Sequence, residues 1–293
     1  MTASVSASAP GSIMVTGEHA VVHGYPALVA AVKQRATVTV EARKDDKVEI
    51  SSAVGSHESS LHELKPEGPL RFVIAAIKAL DPPHGLRVQT RSGIKPELGL
   101  GSSAAITVAA LGAMARLLDR EVDILATGLA IVRAIQGRGS GADLAASLHG
   151  GMLSYALDAP PEKMPLPPTL SLKYVGYKVP TGEVLEQVAR EWQGKDVGAL
   201  YGQMGDASKA AILAASARDW SSMASALDLY QGLMVDLGVS NPDLNDLVLA
   251  GRKEAMAAKI SGSGLGDCVL AFGGVPKGWE RAKIDEKGLV IHG

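Results

Sequence analysis

Apolar residues recur along this chain with two different periods, and the alternation between them predicts a mixed α and β protein. Residues 27–32 and 36–41 are rich in Val and Ala and bounded by turns; with 48–51 they read as strands of an antiparallel sheet. Residues 52–69 are polar, with Gly and Pro, and read as a surface loop. Helical spacing over 70–80 stops at Asp81-Pro82-Pro83, where two prolines cannot continue a helix. Residues 86–90 alternate as a strand, 104–118 and 122–135 read as buried helices, and 150–157 reads as a strand closing the first half. The Pro-rich stretch 159–168 is the linker candidate, so the expected domains are 1–157 and 158–293. After the linker come a strand at 174–179, four helical patterns between 182 and 255, and short strands at 259–261 and 268–272.

Three Gly/Ser-rich segments punctuate this pattern: Ala9-Pro10-Gly11-Ser12 running to Gly17-Glu18-His19, Gly99-Leu100-Gly101-Ser102-Ser103-Ala104, and Ser261-Gly262-Ser263-Gly264-Leu265-Gly266. Glycine lets backbone approach a ligand closely and tolerates positive φ, so such a loop can aim several N–H donors at one anion. The middle segment opens directly into the apolar helix pattern at 104–118, which sets those donors at a helix N-terminus, where the macrodipole favours phosphate. Three such loops suggest a nucleotide-dependent enzyme.

Composition narrows the picture. At 293 residues two domains are the natural expectation, and with only 4% aromatic residues Ala, Val and Leu must build the core. A net charge of −2 leaves no electrostatic footprint for nucleic acid or an anionic membrane. No run is long and apolar enough for a membrane span, and residues 1–9 lack the basic and apolar regions of a signal peptide. The single cysteine, Cys268, cannot form an internal disulfide, which points to a reducing compartment. A cytoplasmic location is therefore expected.

Each loop alone is ambiguous. Gly99-x-Gly101-x-x-Ala104 matches a dinucleotide fingerprint, yet residues 92–98, with Lys95-Pro96, separate it from the preceding strand, and the acidic Asp119 ends a helix pattern. No Gly-Lys-Ser/Thr tripeptide of a Walker A loop occurs. Taken in order, however, Ala9-Pro10-Gly11 through Gly17-Glu18-His19-Ala20-Val21-Val22-His23-Gly24, Gly99–Ala105 and Lys259–Asp267 resemble the three signature motifs of the GHMP kinases (galactokinase, homoserine kinase, mevalonate kinase and phosphomevalonate kinase). The resemblance runs from about residue 9 to 273. Gly-Glu-His-Ala-Val-Val-x-Gly and Leu237-Gly238-Val239-Ser240 with Pro242 are similar to the mevalonate kinase branch.

That resemblance implies a two-domain α+β fold, with a ribosomal-S5-like N-terminal domain and a ferredoxin-like C-terminal one. It implies transfer of the ATP γ-phosphoryl group to the 5-hydroxyl of mevalonate, with Mg²⁺ as cofactor. Gly99, Leu100, Gly101, Ser102, Ser103 and Ala104 would wrap the phosphates with Gly264, and Ser102 or Ser103 would supply a hydroxyl to Mg²⁺. Asp143, in Gln136-Gly137-Arg138-Gly139-Ser140-Gly141-Ala142-Asp143, corresponds to the family's catalytic aspartate. Glu18, His19, Gly262 and, at the periphery, Thr181 would line the acceptor. The implied partner is a small-molecule alcohol, with a homodimer as the oligomer to test.

Two positions depart from the family. The first motif normally reads Ala-Pro-Gly-Lys, whereas this chain has the uncharged Ser12. The third reads Gly264-Leu265-Gly266-Asp267-Cys268, closer to phosphomevalonate kinases than to the unbroken glycine run of mevalonate kinases. If Ser12 has lost its cation, Arg138, five residues before Asp143, is the candidate replacement; Arg138 and Lys33 are the cations nearest at hand for a phosphorylated acceptor. A phosphomevalonate kinase and a non-catalytic GHMP-fold sensor are the alternatives.

Overall fold

The computed structural model describes residues 4–95 and 98–292; Pro96, counted above in the segment before the glycine loop, lies outside them, as do residues 1–3. The first sheet is built on two long strands, β1 (Ser4–Thr16) and β2 (Ala27–Ala42), paired antiparallel. β3 (Lys47–Ser52), β4 (Gly55–Ser60) and β5 (Leu86–Ser92) extend one side of β2, and β6 (Met152–Ala156) and β7 (Ala159–Met164) join at its N-terminal half. β8 (Leu170–Tyr174), β9 (Ala257–Ser261), β10 (Cys268–Phe272) and β11 (Glu280–Ala282) form a second sheet, ordered β11-β8-β10-β9. β12 (Val290–His292) returns to pair with β1. Among the described pairings only β3–β5 is parallel, so Gly99 does not follow a strand of a doubly wound parallel sheet.

Helices α2 (Ser102–Leu117) and α4 (Ala142–His149) pack on the first sheet, and α1 (Arg71–Leu80) and α3 (Ile124–Gln136) pack against them. α2 is buried around nearly its whole circumference, which its Ala-rich sequence permits: small side chains let the sheet and α1, α3 and α4 all approach it. The second half adds α5 (Thr181–Glu191), α6 (Val197–Ser216), α7 (Trp220–Asp236) and α8 (Pro242–Arg252). β10 is buried on both faces: Cys268, Leu270 and Phe272 pack with Ile13, Leu28 and Leu98, and Val269 and Ala271 with Tyr230, Leu233 and Leu244. The first of these clusters joins the two sheets, directly behind the glycine segments.

Several elements differ from expectation. Residues 27–32 and 36–41 are one continuous strand. The start of the first glycine segment, residues 9–12, is not a loop but the middle of β1, where Pro10 and Gly11 sit at a register shift that spares the missing N–H a ladder bond; Gly17, Glu18 and His19 follow the end of that strand. Within the expected surface loop, β4 folds back on β3 as a hairpin. Residues 159–164 of the expected linker pair with β6, so the crossing to the second sheet falls at 165–169. The strand expected at 174–179 is β8, ending at Tyr174, and residues 175–179 become a loop over the third glycine segment.

Candidate functional site

Two helix N-termini and one strand converge. Gly101 precedes α2 in the left-handed conformation (φ 59°), with no side chain capping the helix. Gly141 does the same for α4 (φ 89°), and Asp143 lies in the first turn of that helix. Between them stands Ser12 of β1, buried, its N–H donating to the Leu100 carbonyl (3.1 Å) and its hydroxyl to Asp143 Oδ1 (2.7 Å). A Cβ on Gly101 would run into Ser12 Oγ and come within 3.4 Å of Asp143 Oδ1, so only glycine lets the loop pass here. Sequence reading brought Ser12, Gly101 and Asp143 to one site, and the structure joins them in direct contact.

The third segment closes on the second. Asp267 Oδ1 lies 3.2 Å from where a Gly99 Cβ would stand, and the Cys268 thiol donates to the Leu98 carbonyl (3.3 Å). Burial pushes that thiol up to about 12, so it is inert packing. Leu265 and Asp267 both take positive φ, 59° and 65°, within a tight run fixed by Leu265 N–H to the Val239 carbonyl and Asn241 Nδ2 to the Leu265 carbonyl. Gly264 is pressed against Val239, leaving no space for a side chain. His19, itself at φ 61°, donates from Nε2 to the Ser263 carbonyl (2.8 Å) and so ties the first segment to the third. Burial lowers the His19 pKa, which keeps the ring neutral and leaves Nδ1 as an acceptor.

Beneath His19 lies a buried ion pair absent from the sequence expectations. Lys259 of β9 donates to Glu18 Oε1 and to the Ile260 carbonyl, each at 2.5 Å, and its ammonium stands 5.4 Å over the Tyr230 ring. The Tyr230 hydroxyl donates to the Glu18 carbonyl (2.6 Å). Burial depresses the Lys259 pKa and the Glu18 charge opposes that. Glu18 Oε2, His19 Nδ1 and Ser263 Oγ are buried polar atoms with no hydrogen-bond partner among the described residues. The one sequence cue for Lys259 was a lysine inside an otherwise apolar strand.

Asp143 is electrostatically strained. Burial lifts its carboxyl above the ordinary range and the Glu18 charge adds to this, while the Ser12 hydrogen bond and the Lys178 charge hold it down. Arg138, the expected cation, is exposed, with its guanidinium 3.6 Å from where a Gly182 Cβ would stand, beside exposed Thr181 at the start of α5. It is Lys178 whose charge acts on Asp143, and its ammonium pairs with Asp267 Oδ1 at 3.3 Å. Lys33 lines a cavity of about 180 Å³ with Gln34, residues 280–283, and Leu98 and Leu100 at the second glycine segment.

Comparisons with known proteins give the family. Residues 71–151 match the model of the GHMP kinases N terminal domain and 209–284 that of the GHMP kinases C terminal domain. The chain is also 30% identical to the mevalonate kinase of Archaeoglobus fulgidus over 297 residues, spanning 97% of this chain and 99% of that one. This chain is a GHMP kinase. As such it is an ATP-dependent kinase acting on an alcohol. The mevalonate kinase of Thermococcus gammatolerans is a further relative of this GHMP kinase, 32% identical over 92% of this chain and 89% of that one. In fold it is similar to a Listeria innocua protein, with a TM-score of 0.87 and 23% identity over 99% of both chains. Among its described residues no helix is long and apolar enough to cross a membrane.

Proposed function

We propose that this kinase transfers the γ-phosphoryl group of ATP to the 5-hydroxyl of (R)-mevalonate. The observation that carries the reading is the contact of Ser12, Asp143 and Gly101: a carboxylate of raised pKa held against a phosphate-cradling loop. Asp143 takes the proton of the acceptor hydroxyl as its oxygen forms the new P–O bond. The bond between the γ-phosphorus and the bridging oxygen breaks, and ADP leaves with that electron pair. The N-termini of α2 and α4 both present positive dipole ends to this charge. The backbone of Gly99, Leu100, Gly101, Ser102, Ser103 and Ala104, closed over by Gly264, binds the phosphates.

The hydroxyls of Ser102 and Ser103 cap nothing at the start of α2 and suit Mg²⁺, a hard ion that takes oxygen ligands and draws most of them from phosphates and water. When bound, the ion neutralises charge on the phosphate oxygens. On the acceptor side, Glu18 Oε2, His19 Nδ1 and Ser263 Oγ are the unsatisfied groups that a hydroxy acid would fill, with Gly262 and Thr181 at the margin. The names of the relatives support mevalonate among such acids.

The testing experiment measures ADP release with ATP and Mg²⁺ against mevalonate, phosphomevalonate, homoserine and galactose. Mevalonate should give the highest kcat/KM. A preference for phosphomevalonate would overturn the reading in favour of a phosphorylated acceptor, for which Arg138 and Lys178 are the cations to examine.

A further inference from the structure

We infer that Lys178 is the cation of the phosphoryl-transfer step, occupying by a route through space the place that Ser12 leaves uncharged in sequence. The inference rests on the kinase reading above and names a residue that no motif points to. The loop 175–179 is fastened onto the third glycine segment by two backbone hydrogen bonds, Val175 N–H to the Asp267 carbonyl (2.9 Å) and Asp267 N–H to the Tyr177 carbonyl (3.0 Å). The Tyr177 hydroxyl adds a bond to Asp243 Oδ2 (2.9 Å) and accepts one from Asn241 Nδ2 (3.1 Å). A Cβ on Gly266 would meet Val179 N at 3.0 Å, so the two stretches lie in contact. The backbone of Lys178 is therefore fixed beside Asp267.

Its side chain is not. It is about half exposed (47%), and its ion pair with Asp267 Oδ1 is long at 3.3 Å. Asp267 abuts Gly99, and Asp143 abuts Gly101. Those glycines are two residues apart, a span of at most about 7 Å. The Lys178 ammonium thus sits at one end of the glycine loop whose other glycine abuts Asp143, and its charge reaches that carboxyl. Of the other charges around the site, Lys259 is buried against Glu18, Glu18, Asp143 and Asp267 are carboxyl groups, Arg138 is exposed beside Gly182, and Lys33 lines the cavity with Leu98 and Leu100. A phosphoryl group in transfer spreads negative charge over three oxygens beside these carboxylates, and a cation is what such a site lacks. With the phosphates bound, Lys178 exchanges Asp267 for the transferred group. It acts through its charge and donates no proton to the reaction.

The experiment compares wild type with Lys178→Ala, Lys178→Arg and the double variant Lys178→Ala/Ser12→Lys. Steady-state turnover of mevalonate is read alongside calorimetric binding of ATP and of the ADP–aluminium fluoride mimic of the transferred phosphoryl. Lys178→Ala should lower kcat by a factor on the order of 100, the size of effect seen when one charge-stabilising group is removed, with the KM of mevalonate and the Kd of ATP changed less than about threefold. Affinity for the mimic should fall in parallel with kcat, Lys178→Arg should retain part of the rate, and Ser12→Lys should restore part of what Lys178→Ala loses. A raised KM with kcat intact would mean that Lys178 holds the acceptor, and an unchanged kcat that it is a solvated surface charge; either overturns the inference. A wild-type enzyme inactive on mevalonate would instead refute the substrate, and the mimic-binding comparison would still judge Lys178.

Discussion

Asp143 is held in a balance that single substitutions can tip. Its carboxylate must be ionised to accept the acceptor proton, so activity is lost as pH falls through its folded-state pKa. Burial raises that value, which sets the acidic limb of kcat/KM above the ordinary Asp value of about 3.9. Ser12 opposes the rise by donating to the ionised form. Ser12→Ala removes this support, so the limb should move to higher pH, as the loss of a hydrogen bond to a charged group requires. A limb that stays in place would show that the Ser12 contact does not govern Asp143. The Glu18–Lys259 pair gives a different expectation. Lys259→Met strands a buried carboxylate and should cost about 3–5 kcal/mol of stability, most of it recovered in Glu18→Gln/Lys259→Met. Denaturant unfolding of these two variants and of Glu18→Gln measures this cycle, and additive losses would contradict the coupling. Asp143 and Gly101 were legible because their types match an ordered set of motifs, and Ser12 because it departs from one. Lys178 and Lys259 were not, because a lone lysine between apolar residues carries no periodic signal until the fold supplies its partner.

At the level of elements, the glycine segments do three different things. The first is strand backbone that turns out of β1 at Gly17–His19, the second a helix start, and the third a turn in the left-handed region. The sequence had presented all three as loops. β1 was hidden by Pro10 and Gly11, which break the alternation that marks a strand but sit at a register shift that tolerates them. The proline pair in 159–164 obscured β7 in the same way, since an edge strand accepts residues without an N–H donor. Helices α1, α2 and α6–α8 were readable because their apolar spacing is long and their ends are marked, as by Asn241 capping α8 ahead of Pro242. A specific outcome follows for the second segment. Gly101→Ala combines positive φ with overlap on Ser12 Oγ, and should lower kcat by a factor on the order of 100, the effect of misplacing catalytic groups by about 1 Å. Gly194→Ala, which shares positive φ (76°) but meets nothing within 4 Å, should lose stability alone. Equal kinetic losses in both would mean that backbone strain, not the contact with Ser12, is responsible.

The whole molecule brings together residues from both ends of the chain. β1 and β12 pair at one edge, β9 is tied to β1 by the Ser261 hydroxyl donating to the Met14 carbonyl (2.9 Å), and the site lies where the two sheets meet. ATP bound across that junction should stabilise the folded state as a unit. Melting temperature should rise with ATP–Mg²⁺, corresponding to about 2.7 kcal/mol at 100 times Kd, and should not respond to NADH. A response to NADH alone would favour the dinucleotide reading of Gly99-x-Gly101. The central claim, that Asp143 is the base of a mevalonate phosphorylation, is tested most directly by the turnover of mevalonate in Asp143→Asn at saturating ATP–Mg²⁺. Asparagine keeps the shape and the hydrogen bond from Ser12 but cannot accept a proton at neutral pH. Wild type should release ADP and phosphomevalonate in equal amounts, and Asp143→Asn should do so with kcat lower by roughly 10²–10⁴ and unchanged ATP binding. A wild-type rate largely retained in Asp143→Asn, or no turnover of mevalonate by wild type, would contradict the account.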